Sequence, residues 1–153
     1  MMFMAVLLAQ LTATEIVGQA SVIDGDTIEI QGQRIRLHGI DAPESSQTCS
    51  RDGKAWRCGQ QSALELSAWL ARSPVTCSPV ATDRYKRMVA RCSKGGQDIG
   101  SWLVSNGWAL DWPQYSRGEY SRDQEAAKAK GLGIWRGEFT EPWLWRAQRP
   151  AQR

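Results

Sequence analysis

Histidine is nearly absent from the chain: His38 is the single imidazole in 153 residues. A zinc site of the common types would therefore need all four cysteines, and neither Cys49/Cys58 nor Cys77/Cys92 has C-x-x-C spacing. Long apolar runs are missing too, since none approaches the roughly 20 residues of a membrane span. Excess charge is small. A net +3 permits a polyanionic ligand but is not the strongly basic footprint of an architectural nucleic-acid binder. Internal repeats and low-complexity stretches are lacking as well, which excludes solenoids and disordered linkers.

What remains is the composition of a single globular domain, 42% hydrophobic and 23% charged. Four cysteines in a small chain are an even set and read as disulfides. Of three connectivities the favoured one joins Cys49 to Cys58, closing a loop, and Cys77 to Cys92, stapling neighbouring strands. That implies an oxidising, extracytoplasmic compartment, periplasmic or secreted. The apolar run over residues 3–8, followed by Ala9 and Gln10, has the look of the end of a secretory signal, although it is short and no Lys or Arg precedes it. Residues 1–14 are accordingly read as a leader, 15–140 as the domain and 141–153 as a Trp- and Arg-rich tail.

Residues 15–23 are expected as a first strand. Alternating apolar runs around Gln31-Gly32-Gln33 predict a hairpin over 26–31 and 33–40. Ala63, Leu66, Ser67 and Leu70 recur at helical spacing over 60–72, and the run stops at Ser73-Pro74. Two short strands flank the polar turn "TDRYK". A short helix carrying Ile99, Trp102 and Leu103 ends at Asn106-Gly107, and a last helix starts at Ser121 with Gln124 in capping-box spacing and ends at Gly131. Five strands with a helix after the third, and about three α-helices in all, predict an α+β chain built on a five-stranded OB-fold barrel.

The chemistry-bearing residues gather at one end of that hairpin. With the turn centred on Gly32, Asp26 is expected roughly opposite His38, and Asp41 about three residues further on. At about 3.4 Å per residue the two carboxylates start some 10 Å apart, before the Pro43 corner draws them together. Two aspartates with a backbone carbonyl form a hard-oxygen set suited to calcium or magnesium. Glu44 adds an oxygen or holds a water. Arg36 and Arg87 supply forks that match phosphate oxygens. His38, interior to a strand, reads as a packed residue rather than a general base, while Trp112 and Tyr115 sit in a loop where a ring can stack on a base.

The strings "VIDGDTIEI", "IRLHGIDAPE", "TDRYKRMVARC", "GQDIGSWLVSNGWA" and "KAKGLGIW", in that order, resemble the staphylococcal nuclease (thermonuclease) family over residues 15–136. The resemblance implies a Ca²⁺-dependent phosphodiesterase acting on DNA and RNA. It further implies Asp26 and Asp41 as metal carboxylates, Ala42 as a carbonyl ligand, Arg36 and Arg87 as phosphate-binding catalytic residues, and Glu44 as the handler of the attacking water. Arg84 and Tyr85 fall where the family contacts a neighbouring substrate phosphate; Tyr115 is added here as a substrate contact on its aromatic character alone. Three regions depart from the family pattern: the cysteine-bearing loop 45–56, the stretch 111–118, and Trp143, Trp145 and the basic tail.

The expectation is thus a monomeric, disulfide-stapled endonuclease with Ca²⁺ as cofactor, DNA or RNA as substrate and no membrane span. The alternative of another class is an OB module that binds nucleic acid or another polyanion without cutting it. An accessory role beside polysaccharide export, with the nuclease-like fold incidental, is a third.

Overall fold

The computed structural model describes residues 14–150. The expected leader, residues 1–14, lies outside them but for Thr14. The N-terminal half runs through β1 (Ile16–Gln19), β2 (Ser21–Asp24), β3 (Thr27–Ile30), β4 (Gln33–Leu37), β5 (Ile40–Asp41), β6 (Cys49–Arg51), β7 (Lys54–Trp56) and helix α1 (Cys58–Leu70). Then come β8 (Pro74–Thr82), β9 (Met88–Lys94), β10 (Gln97–Asp98), α2 (Ile99–Ser105), β11 (Leu110–Asp111), α3 (Pro113–Ser116), α4 (Ser121–Lys130), a short 3-10 helix (Gly133–Arg136) and α5 (Pro142–Ala147).

The first strand is not one run but two, broken at Ala20. The break closes the barrel: β1 pairs antiparallel with β8 while β2 pairs antiparallel with β3, so one bent strand serves both ends of the order β1-β8-β9-β4-β3-β2. Counted once, it joins β3, β4, β8 and β9 as the expected five-stranded OB-fold barrel. Strand β9 runs parallel to β4, with Val89 beside Arg36. The hairpin turn is the two residues Gln31 and Gly32, both at positive φ, so Ile30 faces Gln33 and Thr27 faces Arg36. Asp26 consequently lies opposite Leu37, whose N–H donates to the Asp26 carbonyl at 2.9 Å. The expected partner, His38, is one residue off, because the loop holds two residues rather than one.

Ile28, Ile30, Ile35, Leu37, Leu66, Val75, Ile99 and Leu103 fill the barrel and the faces of α1 and α2. Helix α1 starts two residues before the expected position, at the Cys58 cystine, and buries Cys58, Ser62, Leu66 and Leu70 on one stripe; Ser67, expected in that stripe, is exposed. The stripe therefore keeps an i+4 rhythm from the disulfide onward. Ser121 is the first residue of α4 and makes no capping bond, and the amide oxygen of Gln124 accepts from the Asp111 N–H instead. The three longer helices are those expected, with α3 and α5 as single short turns beside them, each opened by a proline.

Cys49–Cys58 and Cys77–Cys92 are both bonded, the favoured pairing. The first anchors a second small core with Leu110 and Ile134, against which Trp56, Trp135, Phe139 and Trp143 pack. The second lies across the β8–β9 pair, where Cys77 faces Cys92. Among the described residues no helix is long and apolar enough to cross a membrane. Because the Cys77–Cys92 loop spans 15 residues, its loss removes about 3 kcal/mol of chain-entropy stabilisation. Urea unfolding of the Cys77→Ser/Cys92→Ser protein should show that deficit, and a midpoint unchanged from the native protein would contradict it.

Candidate active site

Three backbone devices bring distant carboxylates to one end of the barrel. The β2–β3 turn presents Asp24 and Asp26. Strand β4 runs through Arg36 into the corner that carries Asp41, Ala42, Pro43 and Glu44, and β11 pairs with β5 so that Leu110 faces Asp41. Two glycines make the approach possible. A Cβ on Gly25 would meet the Cβ atoms of Ala42 and Ser62 at 2.9 Å, and one on Gly59 would collide with the Glu44 carbonyl. The bare backbone at these points lets the Asp26 turn and α1 close on the Asp41–Glu44 corner.

Arg36 ties the corner together. Its Nη1 donates to the carbonyls of Leu37 and Ile40, both at 2.9 Å. Its Nη2 lies 3.2 Å from Asp41 Oδ1 and 3.4 Å from Asp26 Oδ2. The Ala42 N–H donates to Asp26 Oδ2 at 2.9 Å, and the Thr27 hydroxyl donates to Asp26 Oδ1 at 3.0 Å. Asp26, Arg36, Asp41, Ala42 and Glu44, five residues singled out in the sequence, thus share one cluster.

A sixth member was not foreseen. Arg146, on α5, donates from Nη1 to Asp41 Oδ1 at 2.9 Å and to Glu44 Oε1 at 2.8 Å, and from Nη2 to Asp41 Oδ2 at 2.9 Å. Its guanidinium stands 5.2 Å from the centre of the Trp112 ring, and Arg36 lies 5.8 Å from the same ring. Trp112 stacks on Trp143 with centroids 6.0 Å apart, while Tyr115 meets Trp112 edge-on at 4.5 Å. The tail that read as separate is therefore packed over the cluster. Its only sequence signal was aromatic and arginine content, which says nothing of where a segment docks.

The electrostatics are those of a site rich in carboxylates. Asp41 has no solvent exposure, and its burial, with the nearby Asp26 charge, pushes its carboxyl up to about 6 against the lowering effect of Arg146 and Arg36. Asp24 is also raised, first by burial and then by Asp26 and Glu44. No three acidic, cysteine or histidine side chains among the described residues form a metal cage by themselves; guanidinium groups stand between the carboxylates. The donor chemistry nonetheless fits a hard divalent cation: Asp26 stands close enough to contribute to the raised proton affinity of both Asp24 and Asp41, and a cation relieves that repulsion.

The remaining expected residues make no hydrogen bond or ion pair with the cluster. Arg87, two residues before the register partner of Arg36, pairs with Asp83 at 2.7 Å and lies 5.3 Å from the Tyr85 ring. Arg84 sits over the same ring at 4.9 Å, and Tyr85 is 63% exposed. These three form a second, basic and aromatic surface on the β8–β9 turn, with no hydrogen bond to the carboxylates. The His38 backbone N–H donates to the Ala90 carbonyl, and burial followed by Arg91 lowers the proton affinity of its imidazole.

A family model described as staphylococcal nuclease homologue matches residues 34–137. The chain is 46% identical over 129 residues to the succinoglycan biosynthesis protein ExoI of Rhizobium meliloti, covering 82% of this chain and 68% of that one. It is 34% identical to an uncharacterized endonuclease of Haemophilus influenzae, over 83% of this chain and 70% of that protein. An uncharacterized endonuclease of Escherichia coli O157:H7 is 31% identical over 84% and 82%.

Burial raises Asp41 from 3.8 to about 6, so between those values the folded chain binds more protons than the unfolded one and loses stability as pH rises. Asp41→Asn does not titrate. Urea unfolding in the presence of EDTA should show this variant gaining on the native protein from pH 4 to pH 7, and the opposite trend would contradict the buried-carboxylate assignment.

Proposed function

Because the chain belongs to the family of staphylococcal nuclease homologues, we propose that it is an extracytoplasmic nuclease that hydrolyses phosphodiester bonds of DNA or RNA with a calcium ion. The observation that carries this reading is the convergence of Asp26 and Asp41 on Arg36 at the end of the barrel, with Glu44 drawn to Asp41 through Arg146. Asp26, Asp41 and the Ala42 carbonyl are the groups that would hold the ion. Bound there, a divalent cation supplies Lewis-acid stabilisation of the charge that builds on the phosphoryl oxygens.

The chain's own residues carry the rest of the step. Arg36 and Arg87 bind the phosphate, fixing the phosphorus for in-line attack and countering its charge. Glu44 orients a water and takes its proton as the new oxygen–phosphorus bond forms and the bond to the 5′ oxygen breaks. Arg87, paired with Asp83, reaches the phosphate by leaving that partner. Arg84 and Tyr85 take a neighbouring phosphate, and Tyr115, edge-on to Trp112, offers a ring to a base. The two disulfides support an oxidising compartment, reached by way of a leader within residues 1–14. The unit acting is one chain, with residues 15–140 as the nuclease domain and 141–153 as its C-terminal extension.

A binding module that does not cut is the second reading, and one observation favours it: Arg146 already satisfies Asp41 and Glu44. The relationship to a succinoglycan biosynthesis protein leaves open which polyanion such a module would meet. Digestion of DNA and RNA with calcium, and with EDTA, separates these readings. Calcium-dependent cleavage is expected, with Glu44→Gln lowering kcat by about 10²–10⁴-fold and Arg87→Ala lowering it as well. Undiminished cleavage in EDTA would sink the metal assignment, and binding without turnover under any divalent ion would establish the second reading.

A further inference from the structure

The two arginines of the cluster are held in different ways. Arg36 is built in: its side chain is 12% exposed and bonds two backbone carbonyls as well as Asp26 and Asp41. Arg146 is 35% exposed at the side chain, and all three hydrogen bonds of its guanidinium go to Asp41 and Glu44. It takes both oxygens of Asp41, the residue expected to hold the ion, and one oxygen of Glu44, expected to hold the water.

The backbone that delivers it is firmly anchored. Ser50 and Glu138 exchange two backbone hydrogen bonds at 2.8 Å. Gln47, fully buried, donates from Nε2 to the Thr140 carbonyl at 2.7 Å and accepts at Oε1 from the Glu44 N–H. Pro142 is buried, and Trp143 packs into the small core around Cys49–Cys58. Helix α5 is thus fixed to the corner that bears Glu44, so a departure of the guanidinium from Asp41 needs only rotation of the arginine side chain.

We propose that Arg146 is a tethered counter-cation of the metal site: its guanidinium occupies Asp41 and Glu44 when no divalent ion is bound and must leave Asp41 for an ion to be held there. The proposal rests on the metal-dependent reading of the site. Its physical basis is that a carboxylate without solvent contact needs a compensating cation, and that the Arg146 fork on both oxygens, added to Arg36 on Oδ1, fills most of the acceptor sites a metal ion would use. Arg146 therefore keeps the ion-free cluster neutralised and folded, and it raises the ion concentration at which the site loads. A loading-competent site is only the fraction of molecules in which the arginine has swung away. Residue 146 lies beyond the stretch matched by the family model, so this control belongs to the C-terminal extension.

Isothermal titration of calcium chloride into the EDTA-stripped native protein, Arg146→Ala and Arg146→Gln tests this. Both variants should bind calcium about tenfold more tightly or better, because the competing cation is gone, and both should melt at lower temperature than the native protein when ion-free. Affinity equal to or weaker than native in the folded variants, with calcium still binding the native protein, would overturn the tethered-cation role and leave the metal site standing. Absence of calcium binding in all three would overturn both. If Arg146→Ala does not fold, Arg146→Gln, which keeps the aliphatic stem and a hydrogen-bond donor without the charge, carries the comparison.

Discussion

Asp41 is a carboxylate with no exposure, set at the end of a short strand against a core that is mostly aliphatic. A buried ionised carboxylate is tolerated only when hydrogen-bonded and charge-compensated, and much of the local architecture follows from that requirement. The guanidinium groups of Arg36 and Arg146 meet it from two sides. Arg36 is held by the carbonyls of the same turn, so the corner that ends in Pro43 and Glu44 is shaped around it. Gly25 and Gly59 remain side-chain-free so that the turn and α1 can close on that corner.

The same requirement links stability to chemistry. Burial, reinforced by neighbouring carboxylates, pushes Asp24 and Asp41 up, and carboxylates placed so are poor for folding and good for capturing a cation. The second core, built on Cys49–Cys58, bears on this balance, because it fixes the segment that delivers Arg146. The disulfide that ties loop 45–56 to α1 is therefore joined to the site through Trp143 and Gln47 rather than through any contact of its own with the carboxylates.

Much of the barrel was legible in the chain. Period-two runs placed the hairpin, the favoured of three cysteine pairings is the one formed, and the family resemblance of the strings around Asp26 and Asp41 pointed to five members of the cluster. The one-residue shift that sets Asp26 against Leu37 depended on the conformation of Gln31-Gly32, which the residue types alone left open. Gln124 looked like half of a capping box because its spacing from Ser121 is right, but its side chain is spent on the Asp111 backbone. Arg146 was not legible at all. It reaches a carboxylate 105 positions earlier through a docking decided by tertiary packing of Trp143, and no local pattern encodes such a meeting.

The central claim is that the Asp26–Asp41 end of the barrel is a cation site whose ion-free partner is an arginine. Crystals grown with calcium, and measured at a wavelength where calcium scatters anomalously, test it directly. The account predicts one anomalous peak against the oxygens of Asp26, Asp41 and Ala42, with the Arg146 guanidinium withdrawn from Asp41. A map with no peak there, at saturating calcium and with Arg146 still on both Asp41 oxygens, would contradict it.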